Sequence, residues 1–402
     1  MPTTTRRHFL RSLASLPLAR FAAAAPVAAL GFATPARAAA DSPGTSPYRR
    51  LLVIVELKGG NDGLNTLVPY ADAAYYALRP KLAIAPQDVV QLSERVGLHP
   101  ALSPLADFWE ARELAVLQGV GYPQPNLSHF RSIEIWDTAS KSDEYVRDGW
   151  LTRTFAKRPV PSSFAADAVV VGSNDLGPLA GDGARAIALD NPQQFLRRAA
   201  LAEPTEAAAG PALAHIMKVE NDIVQARVHL ASTHVFRTEF PAHAFGNAVK
   251  AACRVIANPA GVAAVRLSLG SFDTHVNQAG THARLLGELA QGLTALKRAL
   301  VELDRWDDTL VVTYSEFGRR PRENQSAGTD HGTAAVQFAL GGRVTGGLYG
   351  SQPDLRALGS DGNLRHTLDF REVYATVLDR WWGIDPRAAL RARFEPVAFL
   401  RS

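Results

Sequence analysis

Apolar runs that stop abruptly at polar, glycine-bearing loops recur along this 402-residue chain, and they limit its fold more than any other feature. The segments "RRLLVIVELKGGNDG" (49–63), "ELAVLQGVGYPQPN" (113–126), "GVAAVRLSLGSFDTH" (261–275) and "DTLVVTYSEFG" (308–318) each hold a strand-length run without polar alternation. A strand is apolar on both faces only when both are covered, as at the centre of a parallel sheet. "ADAVVVGS" (166–173) and "VQFALGG" (336–342) are shorter candidates. Helical patterns lie between the runs, at 101–113, 210–232, 245–258, 281–305 and 369–383. In the fourth of these, Leu285, Leu286, Leu289, Leu293, Leu296, Leu300 and Leu303 form one stripe. Strands alternating with helices predict an α/β fold, a three-layer sandwich around a mainly parallel sheet. Residues 51–402 are expected to form a single domain. The Pro-, Gly- and Ala-rich stretch near 150–215 marks a possible insertion or cap.

The first 38 residues have a different character. Arg6 and Arg7 precede "HFL", an Ala-rich apolar middle follows, and the stretch ends in the small residues "ARA". That layout predicts a twin-arginine export signal cleaved after Ala38, with a polar linker at 39–50. Its apolar stretches are too short for a stable membrane anchor. The expected location is therefore periplasmic or secreted, with the twin-arginine translocase as a transient partner. The signal also distorts the charge. The whole chain carries 43 basic and 39 acidic residues, a net +4, with a pI near 9.2. Five of the arginines and none of the acids lie in residues 1–38, so the remainder holds 38 basic residues against 39 acidic ones, a net −1. A polyanion partner, and nucleic acid with it, loses its support. The single cysteine, Cys253, excludes an intrachain disulfide and a thiolate metal cage. It sits in an Ala-rich helical pattern, as a buried structural thiol would.

Ligands of parallel sheets bind beyond the carboxyl ends of the strands, where loops converge. The four main runs end on Asn61–Asp62, on Asn126, Ser128 and His129, on Asp273 and His275, and on Glu316, Arg319 and Asp330–His331. Asp273 and His275 are spaced i, i+2, so extended backbone puts both side chains on one side, as two ligands of one ion require. Carboxylates with imidazoles and no thiolates suit zinc or manganese, with magnesium or calcium as weaker fits. Ser128 at a helix start is placed to meet an anionic ester, and Arg319 and Asn126 would steady an oxyanion. Together these parts point to hydrolysis of phosphate or sulfate esters, on small molecules or polymers, with one or two divalent ions. Each piece alone also has an ordinary explanation: a turn aspartate at 62, a helix cap at Ser128, a surface charge at Glu316. G-x-S-x-G, H-E-x-x-H, Walker A and G-x-G-x-x-G motifs do not occur.

The ordered set "RRHFL", "LKGGNDGLNTLVP", "LHPAL", "GYPQPNLSHF", "GSFDTH", "TYSEFGR", "GTDHG" and "DFREVYATVLDRWWG" resembles a bacterial domain-of-unknown-function family of twin-arginine-exported proteins. That family is grouped with the alkaline phosphatase and sulfatase superfamily. The resemblance implies an alkaline-phosphatase-like fold, with Asp62 as the first-strand carboxylate and Ser128 as the nucleophile. It also implies Asp273, His275 and His331 as ligands of one metal, Glu316 as a further ligand, and Asn61 and Asp330 in supporting places. Glu316–Phe317 stands where the superfamily has an Asp–His pair. The alternative is therefore a non-catalytic exported binding or assembly protein that keeps the fold, with or without one structural metal.

Overall fold

β1 (Leu51–Leu57) is buried at every position, and its alternating side chains feed two separate cores. Leu51, Val53, Val55 and Leu57 enter one, while Leu52 and Ile54 enter the other. The computed structural model describes residues 46–189 and 234–401, all within one unit that spans 41–402. Strands follow in chain order as β2 (Leu67–Val68), β3 (Val90–Gln91), β4 (Gly97–Leu98), β5 (Leu114–Gly121), β6 (Ala166–Val171) and β7 (Ala186–Leu189). They continue as β8 (Val262–Leu269), β9 (Thr309–Tyr314), β10 (Ala335–Leu340), β11 (Gly347–Tyr349) and β12 (Leu368–Asp369). The main sheet has the order β11-β5-β10-β9-β1-β8-β6-β7, with β12 also paired to β5; β2, β4 and β3 form a small second sheet. Val53 of β1 lies in register with Val265 on one side and Val311 on the other. Pairing throughout the main sheet is parallel except at β10, which runs against β5 and β9.

This is the mixed α/β architecture with a mostly parallel sheet that the apolar runs predict. One face is covered by the helices Ala244–Ile256 and Gln278–Glu302, whose leucines from Leu285 to Leu300 are buried. Burying each such leucine stabilises by about 1.5–3 kcal/mol. Cys253 is fully buried in this layer. The other face is covered by His129–Thr138, Trp150–Lys157 and Phe370–Thr376, the last continuing as a π-helical turn over Val377–Trp381. The one charge in β1, Glu56, faces that second layer and is met by the Arg266 guanidinium of β8 at 2.7 Å.

Two expectations look different in three dimensions. Part of the 150–215 stretch extends the sheet: β6 and β7 lie there and pair in parallel beyond β8. Residues 190–215, and with them the helical pattern at 210–232, lie outside the described residues, as does the leader at 1–38. The end of the polar linker at 39–50 is fastened to the body of the fold. Tyr48 is buried and its hydroxyl donates to the Arg158 carbonyl at 2.5 Å, while the Trp382 indole donates to the Arg50 carbonyl at 2.8 Å.

Candidate metal centre

The carboxyl ends of β1, β5, β8 and β9 open at one edge of the sheet, and β10 starts there because it runs the other way. Four chain segments bring side chains to this edge. Beyond β5 the Asn126 side chain accepts from the Ser128 amide at 2.9 Å, and the chain turns into the helix that begins at His129. Beyond β8 comes Asp273–Thr274–His275. Beyond β9, Glu316 points inward, and a loop returns through Asp330 to His331. Arg319 and His331 form an antiparallel bridge that fixes the return. A Cβ on Gly332 would stand 2.4 Å from the Arg319 backbone, so only glycine allows this approach.

The donor atoms converge. His275 Nε2 lies 3.0 Å from Asp273 Oδ1 and 3.1 Å from His331 Nε2. His331 Nε2 lies 3.1 Å from Asp273 Oδ1, and His129 Nε2 lies 3.5 Å from Asp273 Oδ2. One ligand atom each from His129, Asp273 and His331 falls within 4.8 Å of the others. Ligands of a tetrahedral zinc ion with bonds of 2.0–2.1 Å stand about 3.3 Å apart, so the spacing fits a single divalent cation.

Every imidazole of the cluster is held from behind. His129 Nδ1 faces the Glu316 carboxylate at 3.0 Å, His275 Nδ1 faces Asp330 at 3.2 Å, and His331 Nδ1 faces the Leu127 carbonyl at 2.8 Å. A carbonyl only accepts, so His331 carries its proton on Nδ1; the two carboxylates favour the same tautomer at His129 and His275. Three Nε2 lone pairs are then turned on one carboxylate whose Oδ1 takes its donor from Arg319 at 2.6 Å, an excess of acceptors that a cation would satisfy. Carboxylate–histidine–metal chains of this kind set ring orientation and raise ligand basicity. Partial burial raises the Asp273 carboxyl, but its hydrogen bond to Arg319, the charge of Arg319 and the nearby His331 and His275 outweigh this and bring it down to about 2. The Phe317 ring walls one side, 4.9 Å from the His129 ring and 4.5 Å from His331.

The other expected site residues take different places. Asp62 does not join the cluster. It is buried and grips Arg79 with both oxygens, at 2.5 and 2.8 Å, with Gln278 donating to it as well. Burial raises its pKa and the Arg79 charge and hydrogen bonds lower it, with a net decrease. Asn61 is buried among Thr66, Ser315 and His282. Glu316 sits behind His129 and accepts from the Gly59 amide at 2.8 Å. Asp330 likewise sits behind His275. Arg319 is buried, with its guanidinium taken up by Asp273 and by the carbonyls of Gly59, Gly60, Phe272 and Thr329, so it holds Asp273 rather than presenting itself to an oxyanion. Asn126 shapes the turn before the helix. Ser128 occupies the N-cap position yet makes no capping hydrogen bond, and it is exposed. His129 stands among the strand-end residues of the sequence but was given no ligand role there. Its only sequence signal was its place at a strand end, because the Glu316 that orients it is 187 residues away.

The solved structures that this chain is similar to share little sequence with it. One is a protein in the alkaline phosphatase superfamily from Vibrio parahaemolyticus, 10% identical, with 86% of this chain and 70% of that one covered at a TM-score of 0.41. The lipoteichoic acid synthase LtaP from Listeria monocytogenes is 11% identical over 84% and 72%, at 0.35. The C-terminal periplasmic domain of EcEptC from Escherichia coli, solved in complex with Zn, is 9% identical over 73% and 72%, at 0.32. No curated protein matches the chain. The family model described as "Protein of unknown function (DUF1501)" matches residues 95–393, and the chain belongs to that family.

Proposed function

We propose that this chain is an exported, metal-dependent hydrolase of phosphate or sulfate esters in which Ser128 is the attacking group. The observation that carries the reading is that three Nε2 atoms are turned on Asp273, those of His129 and His331 close enough to share one ion with it, and that each ring is held by an acceptor at Nδ1. His129, His275, His331 and Asp273 would hold one divalent cation, zinc by preference and manganese next, since imidazoles outnumber carboxylates. When bound, the cation supplies Lewis-acid polarisation of an ester oxygen and lowers the pKa of a nearby hydroxyl.

The chain's own groups do the rest. Glu316 and Asp330 keep protons on His129 and His275 at Nδ1, leaving Nε2 free to ligate. Arg319 fixes Asp273. Ser128 is exposed and spends no hydrogen bond on capping, so its hydroxyl is free to attack, and the first-turn amides of His129–Thr138 can receive an oxyanion. The substrate is a small molecule or a polymer. The twin-arginine leader at 1–38, passage through the translocase and a periplasmic or secreted location belong to the same proposal. Among the described residues no helix is long and apolar enough to cross a membrane.

Elemental analysis of the purified protein and turnover of aryl phosphates and aryl sulfates test the reading together. Metal near one equivalent, with turnover lost in Ser128→Ala at unchanged metal content, supports it. Turnover surviving in that variant sinks the nucleophile, and a metal-free protein sinks the centre. The pairing of Asp62 with Arg79 favours a second reading, because it removes the carboxylate expected for another ion. In that reading the protein binds one structural metal and hydrolyses neither ester class.

A further inference from the structure

At the opposite edge of the sheet, where β1 and β9 begin, four guanidinium groups gather round one cavity. It has a volume of about 400 Å³ and is walled by Arg49, Arg50, Arg343 and Arg380 with Trp381 and Trp382. Arg50 is pinned by its hydrogen bond to the Trp381 carbonyl at 3.1 Å and lies 5.3 Å over the Trp381 ring. Arg343 is aimed by its hydrogen bond to the Asp307 carbonyl at 3.1 Å. Among the described residues the one carboxylate in the wall, Asp308, reaches Arg49 and Arg343 at 3.8 Å each, beyond hydrogen-bond length. Arg380 leans on Asp379 at 3.1 Å. Two carboxylates thus face four permanent cations. The crowding registers on Arg50, whose pKa is lowered by burial first and then by Arg343 and Arg49, against Asp308.

A second cavity of about 360 Å³ adjoins this one, sharing Arg49 and Asp308 and adding Arg305. Arg305 donates to the Arg49 carbonyl at 3.2 Å. The cations therefore run along a groove longer than one oxyanion. Guanidinium forks match phosphate and sulfate oxygens in pairs, and the buried Trp381 and Trp382 form a rigid floor beneath them. From the metal centre the groove is separated by the length of β1, about 20 Å.

We propose that this groove binds a ligand bearing at least two phosphate or sulfate groups, independently of the metal centre. Inorganic pyrophosphate and a doubly sulfated disaccharide are the probes, titrated into the full chain by calorimetry, with tryptophan fluorescence reporting on Trp381 and Trp382. Binding of one and not the other assigns the oxyanion. The Arg49→Ala/Arg343→Ala pair should weaken the preferred probe at least tenfold, and Arg380→Gln, a change at an exposed side chain, at least threefold. His331→Ala, at the other edge, should leave it unchanged. Failure of both probes to bind at millimolar concentration overturns the proposal. So does binding that ignores the arginine variants, or that vanishes in His331→Ala.

Discussion

Replacing Arg79 by methionine tests what Asp62 is for. Both residues are essentially inaccessible, and Arg79 gives Asp62 two of its three side-chain hydrogen bonds. It also serves the Asn65 side chain at 2.7 Å and the carbonyls of Pro321 and Arg320. Methionine keeps the volume and removes every donor. Asp62 is then left buried with only Gln278 beside it, and breaking a buried pair from one side costs about 3–5 kcal/mol. The midpoint of urea unfolding should fall by about 1 M, for a slope of about 3 kcal/mol per M. Asp62→Asn leaves Arg79 buried without its carboxylate, but the Asn65 side chain and the carbonyls of Pro321 and Arg320 still accept from it, so this variant should cost less. Bound metal should stay at the native level in both variants, because Asp62 lies outside the cluster, whereas Asp273→Asn should strip it. A loss below about 1 kcal/mol in Arg79→Met, or metal lost from Asp62→Asn, would refute the structural role and return Asp62 to the ligand set.

Other outcomes are specific to single residues. Glu316→Gln keeps the shape behind His129 but weakens its hold, so metal affinity in a chelator competition should drop about 10–100-fold. Because the Asp62 pKa is lowered on folding, its contribution to stability is present above its unfolded value of about 3.9 and is lost as pH falls through the folded value. The stability gap between the native protein and Asp62→Asn should accordingly close below about pH 4. Burial alone pushes the Cys253 thiol far up, so thiol reagents should label it only on unfolding. Gly60 has φ +82°, and a Cβ there would meet the Phe317 ring at 2.4 Å; Gly60→Ala should destabilise by about 1–3 kcal/mol and loosen the wall of the centre, read as a lower melting temperature.

What the sequence revealed follows from the range of the physics involved. Burial on both faces is a local property of a strand, so β1, β5, β8 and β9 were legible as apolar runs. The direction of β10 was not, since "VQFALGG" reads the same whichever way it runs. Asp273 and His275 were legible because two residues of spacing put them together. Asp62 misled, because its partner Arg79 lies in a separate segment that nothing local ties to it. Arg319 reads as a ligand-facing cation until the carbonyls that consume it are known. His129 was visible only as a strand-end residue, and its ligand role was not, because that role rests on a glutamate delivered by another strand.

The order of the strands also sets a timetable. His129 is synthesised with β5, Asp273 and His275 more than 140 residues later with β8, and His331 only after β9. β1, the first strand made, has to wait for β8 and β9 before either of its sheet neighbours exists. Such distant pairings fold slowly, and a nascent chain stopped before β8 holds one imidazole of the cluster and no central sheet. The centre therefore comes into being only when almost the whole chain has left the ribosome. On the proposed reading, cation capture would be an act of the finished polypeptide, in whichever compartment it completes its fold.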